Sequence, residues 1–103
     1  LDTYHMNIEE KDPYQAILNA GSKLGHFHAC GSDRGTPGGD QINWEKISSA
    51  LHQVKYDGEV VIESFIPDIE MIAKAASIWR QFEPSQEDIA IKGLKFLRSC
   101  LVK

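Results

Sequence analysis

Asp2, His28 and Glu63 offer two carboxylates and an imidazole, the donor set of a divalent cation with open coordination positions rather than of a thiolate-rich structural zinc site. Manganese, cobalt and magnesium suit such a set. Each residue reads as the C-terminal end of a short strand, and the three are separated by 26 and 35 residues. Taken singly, a strand-end carboxylate serves as readily as a helix cap or surface group, and a strand histidine as a hydrogen-bonded core residue. Three of them at a regular spacing point to a metal centre.

The elements that must position them follow from local patterning. Leu1 to His5 reads as the tail of a strand followed by its loop. Asp12-Pro13-Tyr14-Gln15 combines an N-cap, a first-turn proline and a returning glutamine, and predicts a helix over 13–20 closed by Gly21. Residues 24–29 alternate as a strand, with Leu24, His26 and His28 on one face. His26 then reads as a packed core histidine, with orientation of a ligand as its functional alternative. The stretch 30–41 holds Gly31, Gly35, Pro37, Gly38 and Gly39 and predicts a long loop able to approach a ligand, with Cys30 already turned into it and given no role.

Asn43 caps a helix whose Ile47, Ala50, Leu51 and Val54 share a face, and Asp57-Gly58 turns into a strand at 60–63. Val60, Val61 and Ile62 run without polar interruption, as in a parallel strand covered on both faces. Pro67 and Asp68 open a third helix bearing Ile69, Ile72, Ala73, Ala76 and Trp79. Ser85 caps a fourth with Ala90, Leu94, Leu97 and Leu101. Trp44 and Trp79 read as packing helices on the sheet.

Alternating strands and helices imply an α/β fold with a parallel sheet. Eight-fold βα barrels of about 250 residues advance roughly 30 residues per unit and gather active sites at the C-terminal ends of their strands. The spacings here bracket that repeat, so residues 1–103 read as about three of the eight βα units of a (β/α)8 TIM barrel.

Composition narrows the partners. A net charge of -4 without a basic cluster disfavours nucleic acid and anionic membrane surfaces. No apolar run approaches the roughly 20 residues of a membrane span, and the first ten residues lack a secretory pattern. With Cys30 and Cys100 as its two cysteines, the chain fits a reducing compartment, the cytoplasm by default.

Particular motifs then carry a resemblance. Leu1-Asp2-Thr3-Tyr4-His5-Met6-Asn7-Ile8-Glu9-Glu10, Gly25-His26-Phe27-His28, Arg34 with Pro37-Gly38 and Trp44, Tyr56-Asp57-Gly58 with Glu63, and Ile78-Trp79-Arg80 together resemble the ketose 3-epimerase branch of the xylose-isomerase-like barrels. The resemblance implies a metal held by a glutamate, an aspartate, a histidine and a second glutamate, the last three being Asp2, His28 and Glu63. The first glutamate, a further substrate-side glutamate and the early strands would precede residue 1, so the resemblance implies that residues 1–103 are the C-terminal portion of the (β/α)8 TIM barrel, with its N-terminal strands absent. His5 and Arg34 resemble the residues that hydrogen-bond the sugar near its C2 and C3 oxygens.

Where related enzymes often carry a glutamate and an amide, this chain has Gly31 and Asp33, which bears on substrate preference. The implied activity is epimerisation of a free ketose at C3 through a cis-enediolate, with manganese first, or cobalt or magnesium, as cofactor. Glu63 is one of two carboxylates that move the proton, and a homo-oligomer is expected. An aldose-ketose or hydroxy-acid isomerase on the same barrel is the alternative within enzymes, and a non-catalytic incomplete-barrel assembly or sugar-binding piece the alternative outside them. A multi-zinc endonuclease of the same superfamily is opposed by the single triad and the acidic charge. The 103 residues alone are expected to be inactive.

Overall fold

The computed structural model describes residues 1–64 and 83–101. Its order is helix α1 (Thr3–Glu9), helix α2 (Pro13–Ala20), a 3-10 turn (Gly21–Lys23), strand β1 (Phe27–Ala29), helix α3 (Trp44–Gln53), strand β2 (Val60–Ile62) and helix α4 (Gln86–Cys100). The third predicted helix, with Trp79 and Arg80, lies outside the described residues.

Three rows of extended backbone run parallel. β1 pairs with β2 in the register Phe27↔Val60, His28↔Val61, Ala29↔Ile62, and Asp2 forms a parallel bridge to His28 on the other side. The Leu1 nitrogen donates to the His26 carbonyl and the His28 N–H to Leu1, while the Glu63 N–H reaches the Ala29 carbonyl at 3.3 Å. Because side chains alternate with period two, Asp2, His28, Val61 and Glu63 emerge on one face. Phe27 and Ala29, both fully buried, emerge on the other and meet the helices. Met6, Ile17, Ile47, Leu51 and Leu97 close that core.

Each helix starts at a side-chain cap foreseeable from sequence. Asp12 accepts from the Gln15 N–H, Asn43 from Lys46 and Ser85 from Asp88. Gly21, at φ 53°, ends α2 in a left-handed conformation open to glycine. The Gln15 side chain does not return to its cap, however; its amide donates to Asn19 one turn on.

Several expectations need correction. The segment after Asp2 is not a loop but α1, because the Asp2 carboxylate accepts from the His5 N–H and Thr3 and Met6, three apart, bury on the same side. The strand predicted over 24–29 is shortened to its last three residues, with 24–26 irregular, and β2 stops one residue before Glu63. Val60, Val61 and Ile62 are half-buried among the described residues rather than covered on both faces. α4 faces inward through Ile89, Gly93 and Leu97, with Ala90 and Leu94 exposed. Between Ile89 and Leu97 the helix presents no side chain, because Gly93 sits where an added Cβ would come within 3.0 Å of Ile62 and 3.1 Å of Pro37.

Candidate metal centre

Asp2 ends the first extended row, His28 sits in β1, and Glu63 follows β2, so three adjacent strand ends deliver them to one point. One ligand atom from each lies within 4.8 Å of the others. His28 Nδ1 is 3.8 Å from Asp2 Oδ2 and in direct contact with Glu63 Oε1. Asp2 is therefore both a cap and a candidate ligand: Oδ1 accepts from the His5 N–H at 3.0 Å while Oδ2 faces the imidazole. Two oxygens and one nitrogen gathered this way fit a divalent ion and leave positions for further ligands.

A second layer joins the centre to the two predicted sugar-binding residues. Arg34 Nη1 donates to Glu63 Oε2 at 3.2 Å, and Nη2 donates to His5 Nε2 at 2.9 Å. A guanidinium only donates, which makes His5 Nε2 an acceptor and puts the imidazole proton on Nδ1 in this arrangement. Arg34 is 8% exposed and holds φ 68°, a left-handed conformation unusual for a residue with a side chain. Turn bonds between Gly31 and Arg34, and between Gly31 and Gly35, keep it there.

Two neighbours, Tyr4 and Thr3, escaped the residue-by-residue reading. Tyr4 lies with its ring centre 4.3 Å from the Arg34 guanidinium carbon. The buried Thr3 hydroxyl donates to the Cys30 carbonyl at 2.6 Å and accepts from the Cys30 N–H at 2.9 Å, tying α1 to the end of β1. The Cys30 thiol, 4.0 Å from Asp2 Oδ1, has its pKa pushed up to about 12, first by burial and then by the Asp2 charge, which opposes ligation through a thiolate. The signal for Tyr4 and Thr3 was the Asp2 cap itself, since a helix starting at residue 3 places both beside the strand ends.

His26 is exposed rather than a core residue, and its ring meets His28 edge-on at 4.7 Å between centroids. Trp44 packs on Phe96 of α4, with ring centroids 5.7 Å apart, and its indole N–H donates to Asp40. An open groove of about 390 Å³, lined by Asp2, His5, Met6, Glu9, His26 and His28, gives access to the centre.

The chain resembles known proteins over nearly its whole length. The chain is 49% identical to a probable ketose 3-epimerase of Synechocystis sp. over 95% of its length, spanning 34% of that protein. It is 37% identical to a D-psicose 3-epimerase of Enterocloster bolteae over 88% of its length and 30% of that protein's. A solved L-ribulose 3-epimerase superposes with a TM-score of 0.90 at 36% identity, covering 98% of this chain and 35% of that one. The chain thus spans about a third of the length of the relatives it matches. A family model described as a xylose isomerase-like TIM barrel matches residues 1–100, and the chain belongs to that family, as part of a parallel-stranded barrel.

Proposed function

We propose that residues 1–103 form the C-terminal portion of a ketose 3-epimerase and contribute three metal ligands, one proton-transfer carboxylate and two sugar-orienting side chains to its active site. The observation that carries this reading is the convergence of Asp2, His28 and Glu63 within 4.8 Å, with Arg34 bridging Glu63 and His5. The similarity to epimerases of ketohexoses and a ketopentose supplies the substrate class.

The C3 hydrogen of a ketose is acidic because it neighbours the C2 carbonyl. Asp2, His28 and Glu63 would hold a divalent ion, manganese before cobalt or magnesium, which would supply Lewis acidity toward the charge that develops beside the C2 carbonyl. Glu63 takes the C3 proton, the C–H electron pair becomes the C2=C3 double bond, and the carbonyl π pair moves onto O2 to give the cis-enediolate. An acid on the opposite face of the sugar, outside these residues, returns a proton to C3 and inverts it. Arg34 and His5, held together by their mutual hydrogen bond, turn their remaining N–H groups to the sugar oxygens, and Arg34 adds positive charge beside the enediolate.

No helix among the described residues is long and apolar enough to cross a membrane. A cytoplasmic homo-oligomer acting on free sugar completes the proposal. The test is product analysis with the complete barrel and a panel of ketoses, before and after chelation. A C3-epimeric ketose, lost with chelator and restored by manganese, supports the reading; an aldose product, or turnover indifferent to chelation, overturns it.

A further inference from the structure

We infer that Tyr4 is a positioning residue for the epimerisation, acting through Arg34: its ring face seats the guanidinium so that Nη1 and Nη2 stay aimed at Glu63 and His5. This rests on the activity proposed above. Arg34 comes from a loop, and a long side chain on a loop has many rotamers to lose. Its aim is nonetheless fixed at both ends. At the backbone, the left-handed φ of 68° and the turn bonds to Gly31 set the direction of departure. At the head, the Tyr4 ring lies 4.3 Å from the guanidinium carbon.

Tyr4 and His5 are consecutive in α1, so one helix presents both the surface on which the guanidinium rests and the imidazole to which it donates. Tyr4 also meets His5 edge-on, with ring centroids 5.2 Å apart. The quadrupole of an aromatic face attracts a cation, and the attraction strengthens where water is excluded. Arg34's side chain, 9% exposed, meets that condition. Neither the Glu63 nor the His5 contact uses the Tyr4 hydroxyl; the ring is what matters, and this separates a positioning role from one in proton transfer.

The experiment uses the complete barrel with three variants, Tyr4→Phe, Tyr4→Leu and Tyr4→Leu combined with Arg34→Lys. Tyr4→Phe should keep kcat/KM near wild type, while Tyr4→Leu should lose about tenfold, the scale of a desolvated cation–π contact. In the Arg34→Lys background the Tyr4→Leu change should cost little more, because the planar group it seats is gone. An activity-independent readout accompanies these. The Arg34 side-chain protons should show an upfield ring-current shift in the NMR spectrum of wild type and Tyr4→Phe that is absent in Tyr4→Leu.

Equal losses in Tyr4→Phe and Tyr4→Leu overturn the inference, as does an additive double variant or an unshifted Arg34 signal in wild type. A wild-type barrel with no epimerase activity but a shifted Arg34 signal rejects the proposed function while leaving the seating intact. If Tyr4→Leu fails to fold, Tyr4→Trp takes its place: retained activity and a retained shift support an aromatic seat, and loss of both overturns it.

Discussion

Glu63 is the residue on which the His28 imidazole and the Arg34 guanidinium converge, and the proposal also makes it a metal ligand, so a single atom change there separates chemistry from folding. Glu63→Gln keeps the size of the side chain but removes both the proton acceptor and the ligand charge. In the complete barrel we expect kcat to fall by at least roughly 10²- to 10⁴-fold, the usual contribution of a general base, with circular dichroism and melting behaviour retained. Near-normal turnover would refute its role. Cys30 gives a pH prediction. Its thiol ionises near 9.0 in an unfolded chain but only near about 12 when folded. The stability contributed by burying the neutral thiol is therefore present below pH 9.0 and lost as pH rises toward 12, because the unfolded state releases its proton first. Native Cys30 should resist alkylation at pH 8 and react on unfolding; rapid labelling of the folded protein would contradict this burial. The convergence of Asp2, His28 and Glu63 was legible in the sequence because strand ends and residue types sufficed to bring them together. Tyr4 was not, because its role depends on where the Arg34 side chain, leaving a left-handed backbone, comes to rest.

At the scale of elements, capping residues and turn glycines gave α2, α3 and the start of α4 nearly to the residue, since those signals are local. Two failures were of a different kind. α1 was read as a loop although Asp2 is its cap, because the same carboxylate also suited a strand end, and the structure uses it for both. The inward face of α4 was half right: Leu97 is buried and Leu101 packs on the core, but Ala90 and Leu94 are exposed, and close packing selected Gly93, whose missing side chain lets the helix approach Ile62 and Pro37. Periodicity weighs hydrophobicity and is blind to a requirement for space. The Thr3 link to Cys30 belongs at this scale too, for it joins α1, which carries His5, to the end of β1, which carries His28. Thr3→Val, nearly equal in volume, leaves a buried N–H and a buried carbonyl without their partner. We expect a loss of about 1–3 kcal/mol for a buried group left unsatisfied, read from urea denaturation of the complete barrel. Thr3→Ser should recover most of it. Unchanged stability in Thr3→Val would show that the link contributes nothing.

The whole molecule poses a problem that its parts do not. A closed barrel has no strand edges, but among the described residues the extended row at Leu1 and Asp2 is one edge and β2 is the other, with the candidate ligands opening on a groove between chain and solvent. Leu1, Ile8, Ile91 and Leu94 remain exposed, by 43%, 59%, 66% and 45%. Relatives about three times as long cover such surfaces with the rest of the barrel, so residues 1–103 expressed alone should associate with one another to bury edges and apolar faces. They should also bind manganese weakly and fail to epimerise ketoses, since the fourth ligand and the opposing acid are not among them. Sedimentation velocity across a concentration series, alongside a ketose assay with added manganese, tests both halves. Association should grow with concentration while turnover stays at background. A monodisperse monomer would sink the first expectation. Measurable epimerisation by these residues alone would sink the second, and with it the placement of the opposing acid elsewhere in the barrel.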